Sequence, residues 1–117
     1  MKIALVSGGS RGIGRTICMK LAYDGFYILI NYKTNITEAQ KTLEIIKTEG
    51  GDGELLCFDV AKQEEVEQVM GKWIEQNQGK YISVLINNAG IRMDALMLWM
   101  KNEEWSQVID TNLHGFF

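Results

Sequence analysis

Short apolar runs alternate with stretches of helical period along this chain, and the alternation predicts its architecture. Ile3–Val6, Tyr27–Ile30, Leu55–Phe58 and Ile82–Ile86 are nearly continuous in apolar residues, the mark of strands buried on both faces. Between them apolar residues recur at helical spacing. Ile13, Ile17 and Leu21 form one stripe, closed by Gly25 at C′, and Ala39, Leu43 and Ile46 form a second, ending at Gly50-Gly51. Val66, Val69/Met70 and Trp73 form a third, ending near Gly79, while Trp105, Val108/Ile109 and Asn112 predict the start of a fourth helix. Strand–helix–strand units with short links demand parallel strands and right-handed crossovers. The expected fold is α/β, a doubly wound parallel sheet of Rossmann type with strand order 3-2-1-4.

Composition narrows the function classes. The 117 residues, 46% hydrophobic and 23% charged, are those of an ordinary soluble domain, and no proline-rich linker divides them. A net charge of −3 without a basic stripe argues against nucleic acid as a partner. The apolar runs are too short for a signal peptide or a membrane span, so the expected location is the cytoplasm with no membrane partner. Cys18 and Cys57 have neither Cys-x-x-Cys spacing nor a nearby histidine, and no metal-ligand spacing occurs, so no metal site is expected.

The chemistry is concentrated where strands end. Ser7-Gly8-Gly9-Ser10-Arg11-Gly12-Ile13-Gly14 follows the first strand and opens the first helix. Gly8 lets the chain turn sharply, Gly12 lets a pyrophosphate approach the backbone, and Gly14 lets the helix pack close to the sheet. Ser10 and Arg11 add a hydroxyl donor and a cation, so the turn is a candidate phosphate cradle. Asn87-Asn88-Ala89-Gly90 leaves the fourth strand, beside the first at the switch point, where paired amides can bond neighbouring turns and a ligand. Asp59-Val60 closes the third strand; Asp59 suits either an adenine amino group or a helix N-cap. Asn112 falls on the apolar face of the predicted fourth helix, as a buried amide or a functional one.

These four motifs, in this order, resemble the short-chain dehydrogenase/reductases, and the resemblance runs the length of the chain. Asn-Asn-Ala-Gly-Ile-Arg-Met-Asp from 87, Met-Lys-Asn-Glu-Glu-Trp from 100 and Val-Ile-Asp-Thr-Asn-Leu from 108 are most similar to 3-oxoacyl-(acyl-carrier-protein) reductases, followed by acetoacetyl-CoA reductases. Ser7 stands where most members have Thr, keeping the hydroxyl. The resemblance implies that Gly8, Ser10, Arg11, Gly12, Ile13 and Gly14 hold the cofactor diphosphate and adenosine ribose, with Ser7 also in the cofactor site. It implies that Asp59 and Val60 meet the adenine, and Asn88, Ala89 and Gly90 the ribose or adenine side. The second strand ends Ile30-Asn31-Tyr32-Lys33, with no acid for a ribose 2′-hydroxyl. Arg11 and Lys33 there favour a 2′-phosphate, so NADP(H) is the expected cofactor, with Asn31 and Lys33 included in its site.

The implied reaction is NADPH-dependent reduction of a 3-oxoacyl thioester, on acyl-carrier protein or CoA, in fatty-acid-type biosynthesis. Of the family's catalytic tetrad only Asn112 has a counterpart, implied to anchor a proton-relay water. The Ser and the Tyr-x-x-x-Lys pair have none in this chain. Residues 1–117 are therefore expected to be the N-terminal cofactor-binding half of one domain, inactive alone, from an oxidoreductase that forms a homo-tetramer. Its fourth strand is expected to be an open edge prone to association. A non-catalytic dinucleotide-binding or scaffolding module is the alternative if the chain naturally ends at Phe117. A methyltransferase is disfavoured by the missing acid after the second strand.

Overall fold

A computed structural model describes residues 2–10, 12–87 and the backbone of 109–112. Five strands alternate with three helices: β1 Ile3–Ser7, α1 Gly12–Tyr23, β2 Tyr27–Tyr32, α2 Ile36–Thr48, β3 Gly53–Cys57, α3 Gln63–Gln76, β4 Val84–Asn87 and β5 Ile109–Asn112. They form one parallel sheet in the order β3-β2-β1-β4-β5, which contains the expected 3-2-1-4 and extends it by a strand.

β1 is central and buried along its whole length. Because successive side chains of a strand point to opposite faces, each apolar run feeds two cores. Ile3, Leu5, Leu29, Leu56 and Leu85 join Phe58, Val66, Met70, Trp73 and Ile82 on the α3 face. Ala4, Val6, Ile28, Ile30 and Ile86 join Cys18 of α1 and Ile46 of α2 on the other.

α3 buries Val66, Met70 and Trp73, as its spacing predicts. α1 is rotated from the expected stripe. It buries Gly14 and Cys18, Ile17 and Leu21 are half-buried, and Ile13 is 47% exposed. Small residues on the inner face bring the helix axis close to the sheet, and the larger apolar side chains then pack along its flanks. α2 places polar Thr42 in its buried row between Ala39 and Ile46.

Ile109–Asn112 corrects the predicted fourth helix. This segment is a strand, with Val84 opposite Ile109 and Asn87 opposite Asn112. An outer row of unpaired β4 backbone groups would otherwise face solvent, and the β-branched Ile109 and Thr111 favour extended backbone. The expectation that β4 is an open edge is corrected with it, since β3 and β5 are the outer strands. Among the described residues no helix is long and apolar enough to cross a membrane.

Candidate functional site

β1 is followed by a crossover to β2 on one side, whereas β3 crosses over to β4 on the other. The order of connection thus reverses between β1 and β4, and in a doubly wound sheet the carboxyl ends of the strands at such a switch point border the ligand crevice. Ser7 and Asn87, the last residues of β1 and β4, are paired in register there. Both are buried, and the Ser7 hydroxyl lies 3.3 Å from the Ile86 carbonyl and 3.5 Å from Asn87 Oδ1.

The glycine turn begins directly above. Gly8 and Gly12 have φ of 65° and 62°, left-handed values that L side chains rarely adopt. A Cβ on Gly12 would meet nothing within 4 Å, so its backbone faces open space. Gly9, not singled out from sequence, is the tightest point: a Cβ there would sit 2.9 Å from Cys18 Sγ and 3.1 Å from Ile30 Cγ2. The adjacent Gly8-Gly9 pair was its signal.

Asn31 lies beneath the turn and is 3% exposed. Its amide donates to the carbonyls of Phe58 at 2.9 Å and Leu56 at 3.3 Å, and its Oδ1 accepts from the Gly8 N–H at 3.4 Å. Its backbone carbonyl accepts from the Gly9 N–H at 3.0 Å. The Asn31 side-chain amide thus holds β2, β3 and the turn together. The Gly8 and Gly9 N–H groups likewise point inward. The donors presented outward are the first-turn amides of α1 at Gly12, Ile13 and Gly14, which have no acceptor within the helix.

Lys33 and Asp59 meet on neighbouring loops, Nζ to Oδ2 at 3.5 Å, with the lysine side chain 69% exposed. Asp59 Oδ1 accepts the Ala61 N–H at 3.0 Å, and its own N–H donates to Glu65 at 3.1 Å. The Ala61 N–H first, then the Lys33 and Lys62 cations, hold the Asp59 carboxyl below the usual range. The N-cap alternative for Asp59 is corrected: α3 starts at Gln63 with Lys62 at its cap, and Asp59 closes a turn before it. Val60 is half-buried against the α3-face core. Arg11, Asn88, Ala89 and Gly90 lie outside the described residues, and Asn112 is placed on β5 by its backbone alone.

A polar cluster unforeseen in the sequence backs the turn. Arg15 Nη2 lies 2.6 Å from the Ser10 carbonyl, 2.7 Å from a Glu38 carboxylate oxygen and 2.9 Å from the Glu38 carbonyl. Arg15 Nε donates to the Thr42 hydroxyl at 2.9 Å, and that hydroxyl is 3.1 Å from the Gly9 carbonyl. The Arg15 bond, aided by Lys41, lowers the Glu38 pKa. A threonine at the buried 39–42–46 spacing was the available clue.

This is the nucleotide-site geometry of a doubly wound α/β protein. The short chain dehydrogenase family model matches residues 2–117, and the chain belongs to that family. It is 42% identical over 116 residues to the 3-oxoacyl-(acyl-carrier-protein) reductase FabG of Staphylococcus epidermidis, covering 99% of this chain and 47% of that protein. A dehydrogenase/reductase from Sinorhizobium meliloti superposes with a TM-score of 0.68 at 34% identity, over 77% of this chain and 35% of the other. The angucycline C-6 ketoreductase LanV, solved with bound NADP, gives a TM-score of 0.75 at 25% identity, over 95% and 54%. The chain spans about half the length of the curated relatives it matches.

Proposed function

We propose that this chain is the cofactor-binding half of an NADPH-dependent reductase that converts a 3-oxoacyl thioester to its 3-hydroxyacyl form. The observation that carries this reading is the left-handed Gly8/Gly12 turn, open around Gly12, at the carboxyl end of β1 where β1 and β4 are neighbours in the sheet. The residues fit a dinucleotide. The first turn of α1, with Ser10, would hold the diphosphate, Asp59 and Val60 would border the adenine, and Ser7 and Asn31 would shape the floor. Arg11, Asn88, Ala89 and Gly90 keep the cofactor roles that the family resemblance implies, and Asn112 its proton-relay role.

The 2′-phosphate preference rests on Lys33, which follows a β2 whose sequence end carries no acid and whose exposed ammonium also pairs with Asp59. NADP in the LanV structure supports the same cofactor. When bound, the reduced nicotinamide supplies the hydride. The acyl-carrier substrate rests on the similarity to FabG. A CoA thioester as alternative substrate and assembly as a homo-oligomer are what the family resemblance implies, and a cytoplasmic location keeps the sequence expectation.

The test is an assay of the full-length protein with acetoacetyl-CoA, following loss of the reduced nicotinamide's absorbance with NADPH and with NADH. Turnover with NADPH in preference to NADH is expected. Binding of NADPH with no turnover of any 3-oxoacyl thioester would instead support the non-catalytic dinucleotide-binding module.

A further inference from the structure

We infer that Arg15, Thr42 and Glu38 are positioning residues that set the direction of the glycine-turn amides and so control affinity for the diphosphate. The inference rests on the dinucleotide reading above. In a planar trans peptide the carbonyl and the following N–H point in opposite directions. The Gly9 carbonyl is drawn toward α2 by the Thr42 hydroxyl at 3.1 Å, which turns the Ser10 N–H the other way, toward the crevice. The Ser10 carbonyl is held inward too, by Arg15 Nη2 at 2.6 Å.

The cluster is internally consistent. Thr42 has one proton, and the guanidinium already serves Ser10, leaving that proton for Gly9. Arg15 Nε donates to the lone pair of Thr42, and the Glu38 carboxylate pairs at 2.7 Å with Nη2, the nitrogen that also reaches Ser10. Thr42 is fully buried, and the Arg15 guanidinium is engaged by Ser10, Glu38 and Thr42. Their influence on binding passes through the turn backbone, thirty-three positions from Thr42 at Gly9.

The experiment compares Thr42→Val and Thr42→Ser in the full-length protein, titrated with NADPH and with adenosine 2′-monophosphate, which lacks the 5′-diphosphate. Thr42→Val is expected to raise the dissociation constant for NADPH about tenfold, the effect of losing one bond that holds a buried carbonyl. The 2′-monophosphate should stay within about twofold, and Thr42→Ser should restore NADPH binding. Where Thr42→Val yields no folded protein, Arg15→Lys, which keeps the charge and loses the fork, must give the same selective loss. Equal losses for both ligands, or unchanged NADPH binding, overturn the inference alone. A wild-type protein that binds neither NADPH nor NADH overturns the dinucleotide reading and this inference with it.

Discussion

The two faces of the sheet are held by different means. On the α3 face, large side chains fill the space, with Phe58, Met70 and Trp73 all buried. On the α1–α2 face, small groups bring the layers close, at Gly9, Gly14, Cys18 and Ala39, and a polar cluster closes the end nearest the crevice. Bulk suits a face whose task is burial of apolar area. Close approach and fixed carbonyls suit a face whose backbone is itself the recognition surface, because a phosphate cradle made of N–H groups is only as well aimed as its peptide planes.

The sharpest way to break this contrast is to remove bulk from the α3 face. Trp73→Ala should cost about 3–5 kcal/mol, a large part of the stability of a domain this size. The indole N–H also donates to Glu54 at 2.9 Å; Trp73→Phe loses that bond but keeps an aromatic ring in the core, so it should lose less. Urea unfolding gives both values. Because the crevice lies at the other end of the Tyr27–Glu54–Trp73 contact, protein that remains folded should bind NADPH with near-normal affinity. A variant that keeps its stability but loses the cofactor would show that the faces do not divide the work.

Next in size is Gly9→Ala. The added methyl meets Cys18 Sγ at 2.9 Å and Ile30 Cγ2 at 3.1 Å, and overpacking of this kind costs about 1–3 kcal/mol. Here stability and NADPH affinity should fall together, since the turn itself must shift. Cys18→Ala in the same protein should recover part of both, because it removes the nearer obstacle. Full additivity of the two substitutions in a double-mutant cycle would mean that Gly9 and Cys18 do not share the contact.

The contrast also explains which parts of the molecule were legible in the sequence. Continuous apolar runs such as Ile3–Val6 report burial on both faces of a strand, and the Val66–Met70–Trp73 spacing reports a helix packed by bulk. The glycine turn was legible because φ above zero at Gly8 and Gly12 demands a particular residue type. The α1 stripe misled because Ile13, Ile17 and Leu21 are the larger residues, whereas the sheet contact is made by the small Gly14 and Cys18. Arg15 and Glu38 left no local pattern and Thr42 only its place in the buried 39–42–46 row, since the cluster joins groups distant in sequence. Ile109–Asn112 carries helical spacing, yet its state is set by the open backbone of β4 beside it.

A smaller effect follows from the Arg15–Glu38 pair. The bond from Arg15 lowers the Glu38 pKa below the usual 4.5, so the ionised form is the one the fold favours. A carboxyl depressed in this way contributes stability that is complete above its unfolded value and is lost as pH falls through the folded one. Stability should therefore decline below about pH 4.5, and Glu38→Gln should show a shallower decline across that window. Asp59, also depressed, gives a parallel contribution that persists in the variant. Superimposable pH profiles for wild type and Glu38→Gln would remove the pair from the network that fixes the turn.

The last prediction changes no stability and asks only how closed the α1 face is. Cys18 is buried against the turn, and burial pushes its thiol up to about 12, whereas Cys57 is exposed at the end of β3. The thiolate is the reactive form, so at pH 8 only about one Cys18 in ten thousand carries it, even before access is considered. Brief treatment of the native protein with iodoacetamide, followed by peptide mass mapping, should label Cys57 and leave Cys18 unmodified. Unfolding in urea should expose both. Gly9→Ala forces the helix and the turn apart, and Cys18 labelling should quicken in that variant while Cys57 labelling stays the same. Rapid labelling of Cys18 in the native wild type would mean that α1 parts readily from the sheet, and close packing would then not be what holds the glycine turn in place.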